Sequence, residues 1–516
     1  MKKRIALWLG LAALLLVATG VAGLTRVTPF VRDHALEALK SRFESRVALS
    51  TLQVKVFPVP ALEGSGLSFR HQGREDIPPL IEIPAFSASA GLAGLWGETL
   101  HLRRVELSGL TIRIPVGGIR VGIDAGRELV EPDAQSSGTG RRLVVDELVS
   151  RSATLEIASK DPGKLPRHFD IHNLEMWQVG EAEGAPFRAS LTNPKPEGRI
   201  ETEGVFGPWQ ADDPRATPVR GNYRFEHANL DTIKGIGGIL SSSGHYQGVL
   251  ERIAVSGTTE TKDFSIDVAR HPVPLQTSFD AVVDGTNGNT WLERVDAKLR
   301  ETMIHARGSI VRAVDVKGRH IALDVSIEDG RLEDIMALAV RSAKAPMDGR
   351  MRLKSKVVIP AGEADVVEKL QLDGTFELAQ ARFASLDVQR RIDTLSRRGR
   401  GDIANEGPSV VSQLRGRFVM DHGAIRFSNL TFGVPGATIQ LAGSYNLRSE
   451  EIDFAGDLLL DANLRRTMSG WKSIMGFIAQ PFFRRPGGGS KLPIRISGTR
   501  SNPTFGLDVR KALLPG

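Results

Sequence analysis

Apolar side chains recur at every second position along much of residues 414–460, with polar residues between them. Successive side chains of a β-strand point to opposite faces, so this spacing predicts strands with one apolar and one polar face. Asp421-His422-Gly423 and Pro435-Gly436 are typical of tight turns between strands. The apolar positions are Leu414, Gly416, Phe418, Met420, Ile425, Phe427, Ile439, Leu441, Ile452, Phe454 and Leu458. We therefore interpret the stretch as an antiparallel meander with a continuous apolar face.

The apolar phase of this meander changes from odd to even positions between Phe427 and Leu430. One extra residue in a strand re-aims every side chain after it, so the change predicts a β-bulge at Ser428-Asn429. Residues 105–114 repeat the pattern of 425–434, including the change of phase. Shorter segments that are similar to 414–420 occur at 219–225 and 372–378. These repeats favour one strand-turn-strand pattern along the whole chain.

Helical periodicity is confined to a few segments. Residues 29–46 and 463–483 each place apolar side chains on one face of a helix, with charged or polar residues between them. The arginine- and glycine-rich residues 397–408 predict a mobile basic loop. Further helices are expected at 229–240, 331–342 and 385–396.

Residues 5–24 form an uninterrupted apolar run, long enough for a helix to span a hydrocarbon core of about 30 Å. Lys2, Lys3 and Arg4 precede the run, which predicts a cytoplasmic amino terminus and export of the residues that follow. The length of the run favours a retained anchor. The alternative is a cleaved signal peptide with Val21-Ala22-Gly23 at its cleavage site.

Composition and motifs exclude several classes of chemistry. The 516-residue chain has no cysteine, which excludes disulfides, cysteine nucleophiles and thiolate metal sites. It also lacks the GxSxG, HExxH and GxxxxGK[ST] motifs, so we expect no enzyme, no cofactor and no metal. His168, Asp170 and His172 share one face of a predicted strand and are the best metal candidates. The same alternation is ordinary for side chains that face water, and that interpretation is favoured.

The formal net charge of +7 favours contact with anionic membrane surfaces. Nucleic acid is not expected as a partner, because aromatic residues do not interleave with the basic ones. Adjacent arginines that could contact phosphate headgroups occur at Arg141-Arg142, Arg390-Arg391, Arg397-Arg398 and Arg484-Arg485. We expect headgroup contact only for Arg484-Arg485, which follows the helix at 463–483, and solvated loops for the other pairs.

The sequence resembles the AsmA family over most of its length. Three segments are similar to the amino-terminal region of that family: RVALSTLQVKVFPVPALEGSGLSFRH at 46–71, PPLIEIPAF at 78–86 and LRRVELSGLTIRIP at 102–115. LTFGVPGATIQLAGSY and LPIRISGT are similar to its carboxy-terminal region. The resemblance implies a bacterial inner-membrane protein with a single span and most of its chain in the periplasm. It also implies a repeating β-groove that supports phospholipid movement between the inner and outer membranes, and envelope integrity.

These patterns together predict a mainly β chain. A transmembrane helix leads into an elongated, curved, largely antiparallel sheet with a few short helices and a carboxy-terminal amphipathic helix. The expected divisions are an anchor at 1–24, a β region with a leading amphipathic helix at 25–125, a flexible loop at 126–142, central groove repeats at 143–400 and a carboxy-terminal β region at 401–516.

Shared strand phase predicts one apolar concavity, lined by Phe418, Phe427, Ile439, Leu441 and Phe454. Membrane contact is expected from Arg465, Arg466, Trp471, Phe482, Phe483, Arg484 and Arg485. An alternative is that helix 463–483 plugs the open end of the sheet and covers its last edge. The leading hypothesis is a lipid conduit whose partners are phospholipids, the inner membrane and an outer-membrane or envelope partner. The alternative is a scaffold that assembles outer-membrane proteins by strand addition, since a groove and an exposed strand edge are built from the same strands.

Overall fold

The computed structural model describes residues 46–55, 61–70, 78–90, 99–114, 142–157, 167–210, 213–269, 271–313, 316, 318–340, 344–400, 410–461 and 490–507. These residues are mainly β, with mostly antiparallel strand pairing and few helices, as the alternation predicted. The chain divides into two compact units. Unit 1 contains the described residues up to Ala228 together with Ser243–Val255 and Val283–Gly288. Unit 2 contains Asn229–Ser242, Ser256–Val282 and the described residues from Asn289 onwards.

Several predicted features lie outside the described residues. They are the anchor at 1–24, the helix at 29–46 apart from Arg46, the loop at 126–142 apart from Arg142, and the helix at 463–483. Within the ranges that the structure describes, no helix combines the length and the apolar character needed to cross a bilayer.

Unit 1 is a mixed sheet. Its strands are β1 (Arg46–Ala48), β2 (Thr51–Lys55), β3 (Ala61–Arg70), β4 (Ile81–Ala90), β5 (Thr99–Ser108), β6 (Leu110–Ile114), β7 (Arg142–Ser150), β8 (Ala153–Ile157), β9 (Arg167–Val179), β10 (Ala185–Pro194), β11 (Glu197–Phe206) and β12 (Pro218–Asn229). Strand β5 runs parallel to β7 and β6 runs parallel to β8. The change of phase predicted within 105–114 is a break between β5 and β6 at Gly109, whose φ is +72°.

The helix predicted at 229–240 is wrong. Only Leu230–Thr232 forms a 3-10 turn, and it is followed by β13 (Ile236–Gly237), β14 (Ile239–Val249) and β15 (Arg252–Ile266). Gly235 and Gly238 adopt φ angles of +100° and +120°, which an α-helix does not allow. The glycines of this segment therefore favour turns and short strands over the helix that its apolar spacing predicted.

Unit 2 is an antiparallel meander. Its later strands are β16 (Val273–Val283), β17 (Thr290–Leu299), β18 (Thr302–Arg312), β19 (Arg319–Arg331), β20 (Met347–Ile359), β21 (Gln371–Phe383), β22 (Ser412–Asp421), β23 (Ala424–Val434), β24 (Ala437–Asn446), β25 (Glu451–Leu460), β26 (Ser490–Thr499) and β27 (Asn502–Leu507). Each strand from β17 to β27 pairs with the next one along the chain. Its α-helices are α1 (Leu332–Ala339), α2 (Val366–Lys369) and α3 (Leu386–Arg400).

The predicted bulge is confirmed. Arg417 pairs with Asn429 and Phe418 pairs with Phe427, which leaves Ser428 as the extra residue of β23. Strand β24 shows the same shift between Phe427 and Leu430. Both apolar runs of β23 therefore lie on one face of the sheet, although their positions in the sequence differ in parity.

Helix α1 confirms the helix predicted at 331–342. Helix α3 confirms the one predicted at 385–396 but continues to Arg400, so the basic loop predicted from 397 is wrong for residues 397–400. Gly399 does not end the helix, because it lies against the backbone of Gly436 in the turn between β23 and β24. A tertiary contact thus extends α3 beyond the point at which its sequence predicted an end.

Candidate functional site

One face of unit 2 is apolar from β17 to β27. Strand register places one residue of each strand in a line across the sheet: Val295, Ala306, Val325, Ser355, Gly374, Phe418, Phe427, Gly443, Phe454, Ile496 and Phe505. A second line runs from β19 to β27: Ile327, Leu353, Phe376, Gly416, Leu430, Leu441, Gly456, Ile494 and Leu507. We call the surface that contains these two lines and their apolar neighbours on the same side the apolar face.

The residues predicted to line a groove all lie on this face. Phe418, Phe427 and Phe454 belong to the first line and Leu441 to the second. Ile439 lies in the next line, between Phe432 and Leu458. Phe418 and Leu441 are 8% and 9% exposed, whereas the other three are half-buried. The structure therefore brings the five residues together, and their contact with lipid stays a prediction.

Phenylalanine rings form a connected cluster in the middle of the apolar face. Ring centroids of Phe418 and Phe427 are 6.5 Å apart, and those of Phe427 and Phe454 are 5.7 Å apart. Phe376 of β21 completes the cluster, with centroids 6.1 Å from both Phe418 and Phe427. Phe376 was absent from the predicted lining. The similarity of 372–378 to 414–420 could have identified it, because Phe376 occupies the place of Phe418 in that repeat.

Glycines on the apolar face allow neighbouring strands to approach closely. A Cβ atom at Gly443 would overlap the carbonyl oxygen of Asp453, and one at Gly456 would overlap that of Gln440. In a regular antiparallel pair, facing Cβ atoms stand about 4.5–5.5 Å apart and clear the partner backbone. Glycine at these positions therefore permits a close approach of the neighbouring backbone. Both positions lie on the face that also contains the phenylalanine cluster.

Helices α1 and α3 cover the apolar face at one end of its strands. Ile392 of α3 packs with Val434, Leu460 and Leu492. Leu332 of α1 packs with residues of β19 to β21, namely Ile327, Met351, Leu378 and Ala381. Ser396 of α3 donates a hydrogen bond of 2.7 Å to the carbonyl oxygen of Pro435. These contacts fix α3 against the turn between β23 and β24.

The opposite face of the same strands is polar and charged. Arg417 pairs with Asp373 at 3.1 Å, and Arg495 pairs with Asp453 at 3.0 Å. Exposed ion pairs of this kind add little stability, but they keep this side of the sheet hydrated. Tyr445 lies on the apolar face between Ile425 and Ile452. Burial, with a smaller contribution from Glu450, raises the pKa of its hydroxyl.

The remaining candidate residues give no second site. His168 lies 3.5 Å from Glu156, and His172 shares a hydrogen bond of 2.7 Å with Thr192. No group of three potential ligands is placed to hold a metal ion in the part of the chain that the structure describes. The predicted membrane-contact residues, Arg465 to Arg485, lie outside the described ranges.

Comparison of the chain with protein-family models, with curated proteins and with solved structures gives no match.

Proposed function

We propose that this protein is an AsmA-like, inner-membrane anchored periplasmic protein that moves phospholipids between the inner and outer membranes and so supports envelope integrity. The anchor, the location and the family assignment rest on the sequence motifs. The transport role is supported by the uninterrupted apolar face of unit 2. In this proposal the strands form an elongated, curved β-groove, and phospholipid acyl chains lie along the lines of apolar residues.

The apolar face has the chemistry that an acyl chain requires. Exposure of an acyl chain to water costs about 0.8 kcal/mol per CH₂ group, which is the main barrier to moving a lipid through an aqueous compartment. Contact with Phe427, Ile439 and Phe454 would replace much of that exposure, since these side chains are half-buried and so retain surface for a ligand. No catalytic side chain is needed, because the lipid changes place and not its covalent structure.

The extent of the face also suits a conduit better than a pocket for a single molecule. Strands in a sheet lie about 4.8 Å apart, so the line from Val295 to Phe505 is roughly 48 Å long when followed along the sheet. A pocket for one small ligand would interrupt such a line with polar groups that fix its orientation. Ser355 is the polar side chain in this line. Its hydroxyl donates to the backbone carbonyl oxygens of Lys356 and Asp373, so its donor is already used within the protein.

Site-specific crosslinking tests the proposed function. The photoreactive residue p-benzoylphenylalanine replaces Phe427 on the apolar face in one variant and Val419 on the polar face in another. Val419 is a matched control because it is apolar, 38% exposed and directly follows Phe418, which pairs with Phe427. After irradiation in cells, we expect phospholipid adducts at position 427 and none at 419. Equal labelling at both positions, or none at either, would count against a lipid-binding face.

The second candidate is the scaffold that acts by strand addition. It is favoured by β27, whose described partner is β26 and whose residues 502–506 are exposed. Phe505 in this strand is 61% exposed. The same crosslinker at Phe505 separates the two functions, because a scaffold would capture an envelope protein there and a conduit would capture phospholipid.

A further inference from the structure

Helix α3 has an arginine surface on the side that faces away from the sheet. With 3.6 residues per turn, Arg390, Arg391, Arg397 and Arg398 fall within one stripe centred on Thr394. The buried residues of the helix, Gln389, Ile392, Ser396 and Gly399, lie on the opposite side. We call the four arginines and Thr394 the arginine stripe. Asp387, in the first turn of α3, falls at the same angular position, so the stripe has an excess of positive charge and not positive charge alone.

The arginine stripe is held rigidly in place. Gly399 lies so close to the backbone of Gly436 that an added Cβ would overlap its carbonyl oxygen. The Asp393 carboxylate accepts hydrogen bonds from the Val410 amide at 2.9 Å and from the Gln389 side chain, also at 2.9 Å. Packing of Ile392 in the core adds to these contacts. These contacts hold the backbone of the helix in one orientation, so binding of a partner need order only the arginine side chains.

Exposed apolar side chains lie beside the arginines. Leu386, the first residue of α3, is 78% exposed, and Val388 is 37% exposed. Val411, which precedes β22, is 40% exposed. Single exposed apolar residues are ordinary on protein surfaces. Leu386 lies one turn before Arg390 on the same side of α3, and an exposed apolar residue beside basic ones is a feature of helices that lie at the boundary of headgroups and acyl chains.

We infer that the arginine stripe of α3 docks unit 2 on an anionic lipid bilayer. Guanidinium groups bind phosphate oxygens in a bidentate manner, and the charge of the stripe complements that of the bilayer surface. Leu386 would enter the headgroup boundary beside the arginines. Because α3 covers one end of the apolar face, docking would bring that end of the face to the bilayer. The inference deepens the proposed function and depends on it for its biological role, but docking can be measured apart from lipid capture.

A fluorescent label at Leu386 tests the docking directly. The chain has no cysteine, so Leu386→Cys carries a single thiol for an environment-sensitive fluorophore, and Val419→Cys on the polar face is the matched control. The full-length variants are purified in detergent and transferred to nanodiscs of phosphatidylcholine. Vesicles of phosphatidylcholine, alone or mixed with phosphatidylglycerol, are then added. We expect a blue shift at position 386 with the anionic vesicles only, no shift at 419, and loss of the effect at high salt.

Variants that remove charge test whether the arginines cause the docking on anionic vesicles. Arg390→Gln with Arg397→Gln should weaken binding to the anionic vesicles roughly thirtyfold, and the same positions changed to Lys should retain most of it. Arg350→Gln with Arg352→Gln on β20 should leave binding unchanged. A Gln variant that keeps full binding to the anionic vesicles while its circular dichroism stays native would overturn the inference, as would equal shifts with both kinds of vesicle. Crosslinking from position 427 in the Gln variant then separates the two proposals. If the Gln variant still gives lipid adducts but no longer docks, the lipid-binding role of the apolar face stands. If the parent chain docks but gives no adducts, the proposed function is contradicted and the docking inference is not.

Discussion

Two repeats of the same short motif explain how large rings and close strands coexist on the apolar face. Strands β21 and β22 each contain a glycine two residues before a phenylalanine, Gly374 with Phe376 and Gly416 with Phe418. Their antiparallel register places Gly374 opposite Phe418 and Phe376 opposite Gly416. Each ring therefore faces a glycine, which leaves it room to lie over the neighbouring backbone. One pattern of residues supplies both the large rings and the space in which they lie.

Close approach at Gly443 predicts that even a methyl group is harmful there. In Gly443→Ala the new Cβ would overlap the carbonyl oxygen of Asp453, so β24 and β25 would have to separate. We expect a loss of about 2 kcal/mol in the local free energy of opening, within the range for overpacked cores. Amide hydrogen exchange of β24 and β25 measures that loss without assuming that the whole chain unfolds in one step.

Gly433 provides the matched control for this substitution. It lies in the neighbouring strand β23, and a Cβ there would meet no atom within 4 Å. Gly433→Ala should therefore change the free energy of opening by less than about 0.5 kcal/mol. Similar losses in the two variants would mean that steric overlap at Gly443 is not the reason for glycine.

At the scale of elements, α1 is joined to the sheet by a buried carboxylate. Asp334 in its first turn is 4% exposed and accepts a hydrogen bond of 2.8 Å from the hydroxyl of Thr302. It also accepts one of 3.2 Å from the amide of Glu301 in the turn between β17 and β18. The residue at the helix N-cap, Arg331, has no side-chain capping bond. The first turn of α1 is thus stabilised through its contact with the sheet and not through its own cap.

Removal of this carboxylate should release α1. Asp334→Ala leaves the buried Thr302 hydroxyl and the Glu301 amide without this acceptor. Loss of an acceptor for a buried donor costs about 1–3 kcal/mol. Hydrogen exchange in α1 and in the turn between β17 and β18 should accelerate together. Glu333→Ala is the control, since the contact of Glu333 with the Gly349 amide is long at 3.4 Å. Acceleration confined to α1 would contradict the joint role of Asp334.

The elements that depend on local pattern were predicted well, and those that depend on tertiary contacts were not. Alternation and the change of phase were enough to predict the bulge at Ser428, because both follow from the period of a strand. The helix at 229–240 failed since its glycines require positive φ, and the end of α3 failed since Gly399 packs against Gly436. Phe376 was missed because its partners come from strands about 40–50 residues away in the sequence, which alternation alone does not identify.

At the scale of the whole molecule, a lipid conduit requires a continuous apolar surface. A lipid-binding pocket needs a few apolar residues in one place, whereas a conduit needs every strand between its ends to contribute one. The two lines together satisfy that condition from Val295 in β17 to Phe505 in β27. Where the first line has Ser355, Gly374 or Gly443, the second line supplies an apolar side chain from the same strand: Leu353, Phe376 and Leu441. A polar substitution in the middle of the first line should therefore change lipid capture at positions far from it, although the fold on either side is unchanged.

Phe427→Gln introduces such an interruption at β23. The amide side chain would lie among the rings of Phe376, Phe418 and Phe454, where an acyl chain must give up contact or meet an unsatisfied polar group. Crosslinkers at Val325 in β19 and at Ile496 in β26 then report lipid on the two sides of the block. In the unblocked chain we expect phospholipid adducts at both positions, and in Phe427→Gln we expect them to persist on the side that lipid enters and to fall on the other. Hydrogen exchange of β22 to β24 must match the parent chain for the comparison to hold. Equal capture at both positions in the blocked chain would show that lipid does not travel along the apolar face.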